Sequence, residues 1–336
     1  MAGIGFAMRI VCFHLNQIGD LAFSLPALKS LRDGFPDAII TSVVRPGLSE
    51  LLSATGLIDE VLSRNSGINL DKTILSKRLA VARYDLAVLF SQSAECALLA
   101  YISGAKRRVG FINTSLGSLL TERIDFTHPP STENNLRLVS AIGCKITSQS
   151  YASLLKLTQG QIAAGDKVLS AHGIAADESI VAFAPGTSGR RSVKEWTDEG
   201  YAEVGRYLEG AGCKVVIIGT EPAVEITARC KSIIDFSGKT NLVEAAAILY
   251  RSRTLVAVDS GMLHLAAALG KRVIGLYGPS NQRVTGPQGE GHALVTSGTE
   301  CSPCMQTVCK LDRKCMTNID AAQVIDALSN ILAGQN

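Results

Sequence analysis

Thr254-Leu255-Val256-Ala257-Val258 runs into Asp259-Ser260-Gly261-Met262-Leu263-His264, then into Leu265-Ala266-Ala267-Ala268-Leu269-Gly270. A β-prone run, a tight polar turn and a small-residue segment closed by glycine read as strand, turn and helix. The strand is apolar without alternation, so both its faces are buried, as in a parallel sheet covered by helices. A turn leaving such a strand lies at the sheet's carboxyl edge, where α/β folds bind ligands. Free backbone N–H groups from Ser260 to Leu263 would point there and form an anion site. Asp259 and Ser260 also read simply as helix N-caps, which explains their types but not the small Gly261 that opens the helix. Ser260 lacks the flanking glycines of G-x-S-x-G, which disfavours a hydrolase nucleophile. His264 reads equally as a buried, hydrogen-bonded histidine or as a ligand contact.

The same alternation fills the 336 residues. Arg9 to Leu15, Ala38 to Val44, Leu86 to Phe90 and Arg107 to Phe111 read as strands, with helices at Leu21 to Phe35, Leu48 to Thr55, Lys72 to Ala82 and Glu95 to Ile102. The pattern then restarts, with strands at Ile180 to Ala184, Lys214 to Gly219, Ile233 to Phe236, Thr254 to Val258 and Arg272 to Tyr277. Helices near Thr197 to Leu208, Val224 to Lys231, Leu242 to Leu249 and Leu263 to Leu269 separate them, and a last one spans about Asp320 to Leu332. Two βαβ series imply an α/β protein with two doubly wound sheets. The boundary is expected in the Ser, Thr and Gln-rich stretch between Cys144 and Gln161.

Composition removes other classes. With 46% apolar residues the chain is neither disordered nor fibrous, and no apolar run reaches the roughly 18 to 20 residues of a membrane-spanning helix. Ile10 to Phe13 is too short for a signal-peptide core, which points to a soluble, cytoplasmic chain. A balance of 33 basic against 30 acidic residues, with 5% aromatics, argues against nucleic acid. Nine cysteines in a chain without an export signal read as reduced thiols or a metal site rather than disulfides.

The first strand ends in His14-Leu15-Asn16-Gln17-Ile18-Gly19-Asp20. Neither G-x-G-x-x-G nor a P-loop occurs here, so a dinucleotide or nucleoside-triphosphate fold of those kinds is excluded. Asp20 reads either as a helix-opening carboxylate favoured by the helix dipole or as a general base within reach of a substrate hydroxyl. In the second half, Pro185-Gly186-Thr187-Ser188-Gly189-Arg190-Arg191 leads to Lys194. Hydroxyls and glycines followed by cations suit a diphosphate, with Lys194 as a point charge; a solvated basic loop is the plainer reading. Glu221, after a strand end, reads as a ribose partner or as a first-turn helix acid. Cys301, Cys304, Cys309 and Cys315 form C-x2-C-x4-C-x5-C, a set that could hold a structural zinc or iron ion or pack as reduced thiols.

Taken in order, Ile18-Gly19-Asp20, Leu25-Pro26-Ala27-Leu28, Phe35-Pro36-Asp37, Pro185-Gly186 with Lys194 and Trp196, Phe236-Ser237-Gly238-Lys239-Thr240, the Asp259 to Gly270 block, Tyr277-Gly278-Pro279 and Cys301-Ser302-Pro303-Cys304 resemble glycosyltransferase family 9. That family contains the ADP-heptose:lipopolysaccharide heptosyltransferases. The resemblance implies a GT-B fold of two Rossmann-like domains facing across a cleft. Residues 1–150 would bind the acceptor, residues 160–318 the nucleotide sugar, and a closing helix at 319–336 would cross back to the first domain. It implies an inverting transfer with Asp20 as base. The donor would meet Thr187, Ser188, Lys194, Glu221, Asp259, Ser260, Gly261, Met262 and His264. His14, Asn16, Arg45 and Arg108 would meet an anionic lipid-linked acceptor, with loose contact to the inner face of the inner membrane. The sequence holds no Asp-x-Asp pair, and helix amides with Lys194 could neutralise the leaving diphosphate, so catalysis is expected to need no metal. The same fold would serve another nucleotide sugar, another glycan acceptor, or a non-catalytic sugar-nucleotide binder.

Overall fold

The computed structural model describes residues 7–15, 17–65, 70–127, 130–187 and 192–334. The chain divides into two compact units, Met1–Tyr151 and Ala152–Asn336. In the first, β1 (Arg9–Phe13), β2 (Ile39–Val44), β3 (Glu60–Ser63), β4 (Leu86–Leu89), β5 (Arg107–Phe111) and β6 (Glu122–Ile124) form one sheet in the order β3-β2-β1-β4-β5-β6. In the second, β7 (Ile180–Ala184), β8 (Lys214–Ile217), β9 (Ile234–Asp235), β10 (Thr254–Val258), β11 (Val273–Leu276) and β12 (Ala293–Val295) are ordered β12-β11-β10-β7-β8-β9. Every pairing in both sheets is parallel. Both orders are the Rossmann one, and each reverses direction beside its first strand, between β1 and β4 and between β7 and β10.

Burial explains which strands were legible. Ile10 to Phe13, Leu86 to Leu89, Ile180 to Ala184 and Leu255 to Val258 are fully buried or nearly so, and each is an unbroken apolar run. The strands that escaped the sequence reading, β3, β6 and β12, are edge strands with partly exposed residues and no periodic signal. Two long helices also escaped it, Ser131–Ala141 and Gln159–Ala171, besides the short Gln282–Thr285 and Lys314–Thr317. The second long one opens with a reciprocal cap between Thr158 and Gln161, a T-x-x-Q signature that sequence alone carries.

The first helix runs Ile18–Gly34, about one turn earlier than expected, and this places Asp20 inside its first turn. In the second unit, Trp196 packs against Tyr201 with ring centroids 5.0 Å apart and donates its indole N–H to the Ile319 carbonyl at 3.0 Å. Gly200 permits this close approach, since a Cβ there would lie 2.4 Å from the indole ring. The last helix, Ala321–Ala333, packs against β11, β12 and the helix Asp198–Gly210, and Val324, Leu328 and Ile331 join the core of the second unit. Among the described residues no helix is long and apolar enough to cross a membrane.

Candidate active site

At the carboxyl edge of the second sheet, the loops after β7 and β10 meet. The Lys194 ammonium, on a short 3-10 turn (Ser192–Lys194), lies 2.5 Å from the Asp259 carboxylate, and the two side chains are 12% and 6% exposed. His264 Nε2 stands 3.7 Å from the other Asp259 oxygen. Burial by itself would raise the Asp259 carboxyl, but the neighbouring His264 imidazole and the Lys194 charge outweigh it and hold the group well below the usual carboxylate range. Asp259 is therefore a buried counter-ion to Lys194 with His264 beside it, and the N-cap position of the following helix belongs to Ser260.

Ser260 occupies the N-cap position of the helix Gly261–Ala268 with extended backbone, yet its side chain makes no capping bond. Its hydroxyl is buried without a partner among the described residues, as is that of Ser237, which follows β9. Buried hydroxyls normally find partners, and unpaired ones at a ligand edge are the expected mark of a group that meets its partner in the complex. With the free amides of the helix's first turn, the Ser260 hydroxyl suits phosphate or sugar oxygens. Gly261 and Met262 open that helix and remain partly exposed. Thr187 gives both its N–H and its hydroxyl to Glu195, at 3.3 and 3.1 Å, closing the neck of the loop after β7. Ser188 lies outside the described residues. Glu221 is exposed beyond the end of β8.

In the first unit, Asp20 sits partly exposed in the first turn of the helix that leaves β1. His14 does not remain open to an acceptor. It is 1% exposed, with Nδ1 on the Ser24 hydroxyl at 3.0 Å and Nε2 on the Ser42 hydroxyl at 3.2 Å, so both ring nitrogens are committed to the core. Arg108 is also corrected. It lies near the amino end of β5, level with Ala87, and its guanidinium is spent on the Leu119 and Ala105 carbonyls at 2.7 and 2.6 Å. A parallel sheet binds ligands at the opposite edge. Arg45 is exposed at the carboxyl end of β2, and Asn16 lies outside the described residues.

The sequence reading missed a partly buried cluster here. Arg64, 6% exposed after β3, lies 2.5 Å from Glu95 and donates to the His14 carbonyl at 3.3 Å, while Lys72 reaches Glu95 at 2.6 Å. Glu95 opens the helix after β4 as Asp20 opens the helix after β1, and that parallel was the available signal. Arg64 carried none, because the strand before it was not recognised.

Burial, with the Arg64 charge adding to it, pushes the His14 imidazole down to about 3 from 6.5. A lowered histidine favours the neutral ring when folded, so its contribution is complete above pH 6.5 and is lost as pH falls from there towards 3. The urea midpoint is expected to fall over that window, and His14→Gln to remove up to about 1.4 kcal/mol per pH unit of the slope. Superimposable pH dependences for the two proteins would refute the assignment.

The family model of glycosyltransferase family 9 (heptosyltransferase) matches residues 73–315, and the chain belongs to this family. It is a glycosyltransferase, and its two parallel six-stranded sheets are the GT-B fold. Lipopolysaccharide heptosyltransferase 2 of Escherichia coli K12 is 26% identical over 301 residues, covering 83% of this chain and 85% of that protein. The solved structure of E. coli ADP-heptose lps heptosyltransferase II superposes with a TM-score of 0.80 at 22% identity, covering 98% of this chain and 100% of that one. The iron-containing dodecameric glycosyltransferase TibC from enterotoxigenic E. coli H10407 superposes at 0.63 with 15% identity, over 98% and 77% of the two chains. In this chain the four loop cysteines are free thiols. Burial and the nearby Cys301, Cys304 and Cys309 push the Cys315 thiol up. Among the described residues no group of three or more His, Cys, Asp or Glu side chains is placed to hold a metal ion.

Proposed function

We propose that this enzyme transfers heptose from ADP-heptose to the inner core of lipopolysaccharide with inversion, the second unit binding the donor and the first the acceptor. The names of the relatives support the sugar and the acceptor class. The observation that carries the donor reading is the buried Lys194–Asp259 pair beside the uncapped Ser260 helix terminus, a cation and free amides set for a diphosphate.

In this reading an acceptor hydroxyl oxygen forms a bond to the anomeric carbon as the bond to the β-phosphate oxygen breaks. Asp20 takes the hydroxyl proton, and ADP leaves with the bonding pair. Lys194 and the helix amides neutralise the charge that grows on the departing diphosphate. Glu221 is positioned by sequence for the nucleoside, and Arg45 for acceptor anions. The acceptor's lipid anchor implies work at the cytoplasmic face of the inner membrane through peripheral contact. No step is assigned to the cysteine loop.

The test is a donor panel (ADP-, UDP- and GDP-linked sugars) against lipid A–Kdo acceptors with and without a first heptose. Addition of one heptose mass with ADP-heptose alone is expected. Turnover with a different nucleotide sugar, and none with ADP-heptose, would overturn the donor assignment.

A further inference from the structure

Lys194 is held in place from behind. The Arg313 guanidinium, arriving from the cysteine-rich segment, donates to the carbonyls of Ser192 and Glu195, each at 3.1 Å, and these two residues bracket Lys194. The Ser192 carbonyl also accepts the Glu195 N–H at 3.0 Å, so a single-turn 3-10 element is clamped at both ends. Isolated turns of this kind are intrinsically weak. Arg313 is itself held in the left-handed region, with φ 54°. Three residues on, Met316 is fully buried in the core, and Trp196 donates to Ile319, so the clamp is rooted on both sides.

The same segment grips the loop that follows β11. Ser302 donates its hydroxyl to the Gly278 carbonyl at 2.5 Å, and the Met305 N–H reaches the Pro279 carbonyl at 2.8 Å. Gly278 leaves no room for a side chain here, since a Cβ would come within 2.5 Å of the Met316 sulfur and 2.9 Å of the Cys315 sulfur.

We infer that Arg313 is a positioning residue for the diphosphate-binding lysine, and that the cysteine-rich segment is the brace through which the second unit's core sets the Lys194–Asp259 geometry. A lysine on a long flexible stem gains from a fixed backbone origin, and small misplacements of a charge at a reacting centre carry large losses. Both bonds come from one guanidinium nitrogen, Nη1, so a single group bridges the two carbonyls that flank Lys194.

The inference rests on the reading of Lys194 as the diphosphate cation, and the test separates the two. Calorimetry with ADP and AMP would compare wild type, Arg313→Ala, Lys194→Ala and the double variant. Arg313→Ala is expected to weaken ADP about tenfold and leave AMP nearly unchanged, because only the β-phosphate reads the lysine's position. The double variant is expected to bind ADP no worse than Lys194→Ala alone, the non-additivity of residues acting through one contact. Additive losses, equal losses for ADP and AMP, or no loss in Arg313→Ala would overturn the inference alone. Unchanged ADP binding in Lys194→Ala would remove the diphosphate reading and the inference with it. Should Arg313→Ala not fold, Arg313→Lys decides: a selective, smaller ADP loss supports the clamp, and parallel ADP and AMP losses refute it.

Discussion

Asparagine at position 20 is expected to lower kcat by about 10²- to 10⁴-fold, the range that a positioned general base contributes. The substitution keeps the size of the side chain in the first turn of the Ile18–Gly34 helix and removes its charge and its capacity to accept a proton. ADP affinity is expected to stay at the wild-type value, because the proposed phosphate-binding elements belong to the second unit. Steady-state transfer measured at saturating donor and acceptor, with calorimetry for ADP, separates these effects. A variant that keeps wild-type kcat would show that Asp20 is a helix-opening carboxylate and no more.

The second large effect is expected at Lys194. Alanine there would remove the proposed charge-assisted contact to the diphosphate, worth about 1.5 to 3 kcal/mol, so ADP affinity should fall by one to two orders of magnitude. It also leaves Asp259, 7% exposed, with its main counter-charge gone. Breaking a buried pair from one side costs roughly 3 to 5 kcal/mol, and His264 offsets part of that. Denaturant unfolding should therefore show a lowered midpoint in the same protein that shows weakened ADP binding. Unaltered stability would mean that the Asp259 carboxylate is not dependent on the lysine. The acid dependence has a definite sign. Asp259 is held below its ordinary 3.8, so the pair's contribution is complete above that value and disappears as pH falls below it. That window lies below the onset expected for His14, whose contribution begins to weaken near 6.5.

Much of the fold was legible because it is written locally. Runs such as Ile180 to Ala184 and Leu255 to Val258 are apolar over their whole length, and that pattern is what burial on both faces demands. Glu60–Ser63 and Glu122–Ile124 form strands only because a neighbour offers its free edge, and nothing in four or three mixed residues announces this. Asp20, Lys194 and the Asp259 turn stood out in the sequence because each belongs to a segment that leaves a strand end. Their partners were not. The Lys194–Asp259 contact spans 65 residues, and the Arg313 clamp reaches Ser192 from 121 residues away.

His14 and Arg108 show the converse error. Both are polar residues in or beside strands of the first unit, and by type alone both suit an anionic acceptor. Ser24 and Ser42 supply the hydrogen bonds that let His14 be buried, and the direction of β5 carries Arg108 away from the carboxyl edge. By itself the sequence determined the two doubly wound sheets, the loops that border their ligand edges and the family, since apolar runs and motif order are properties of neighbouring residues. Only the tertiary structure decided which polar groups are available and which are committed, because a hydrogen bond or ion pair depends on distances between segments that the chain order leaves far apart.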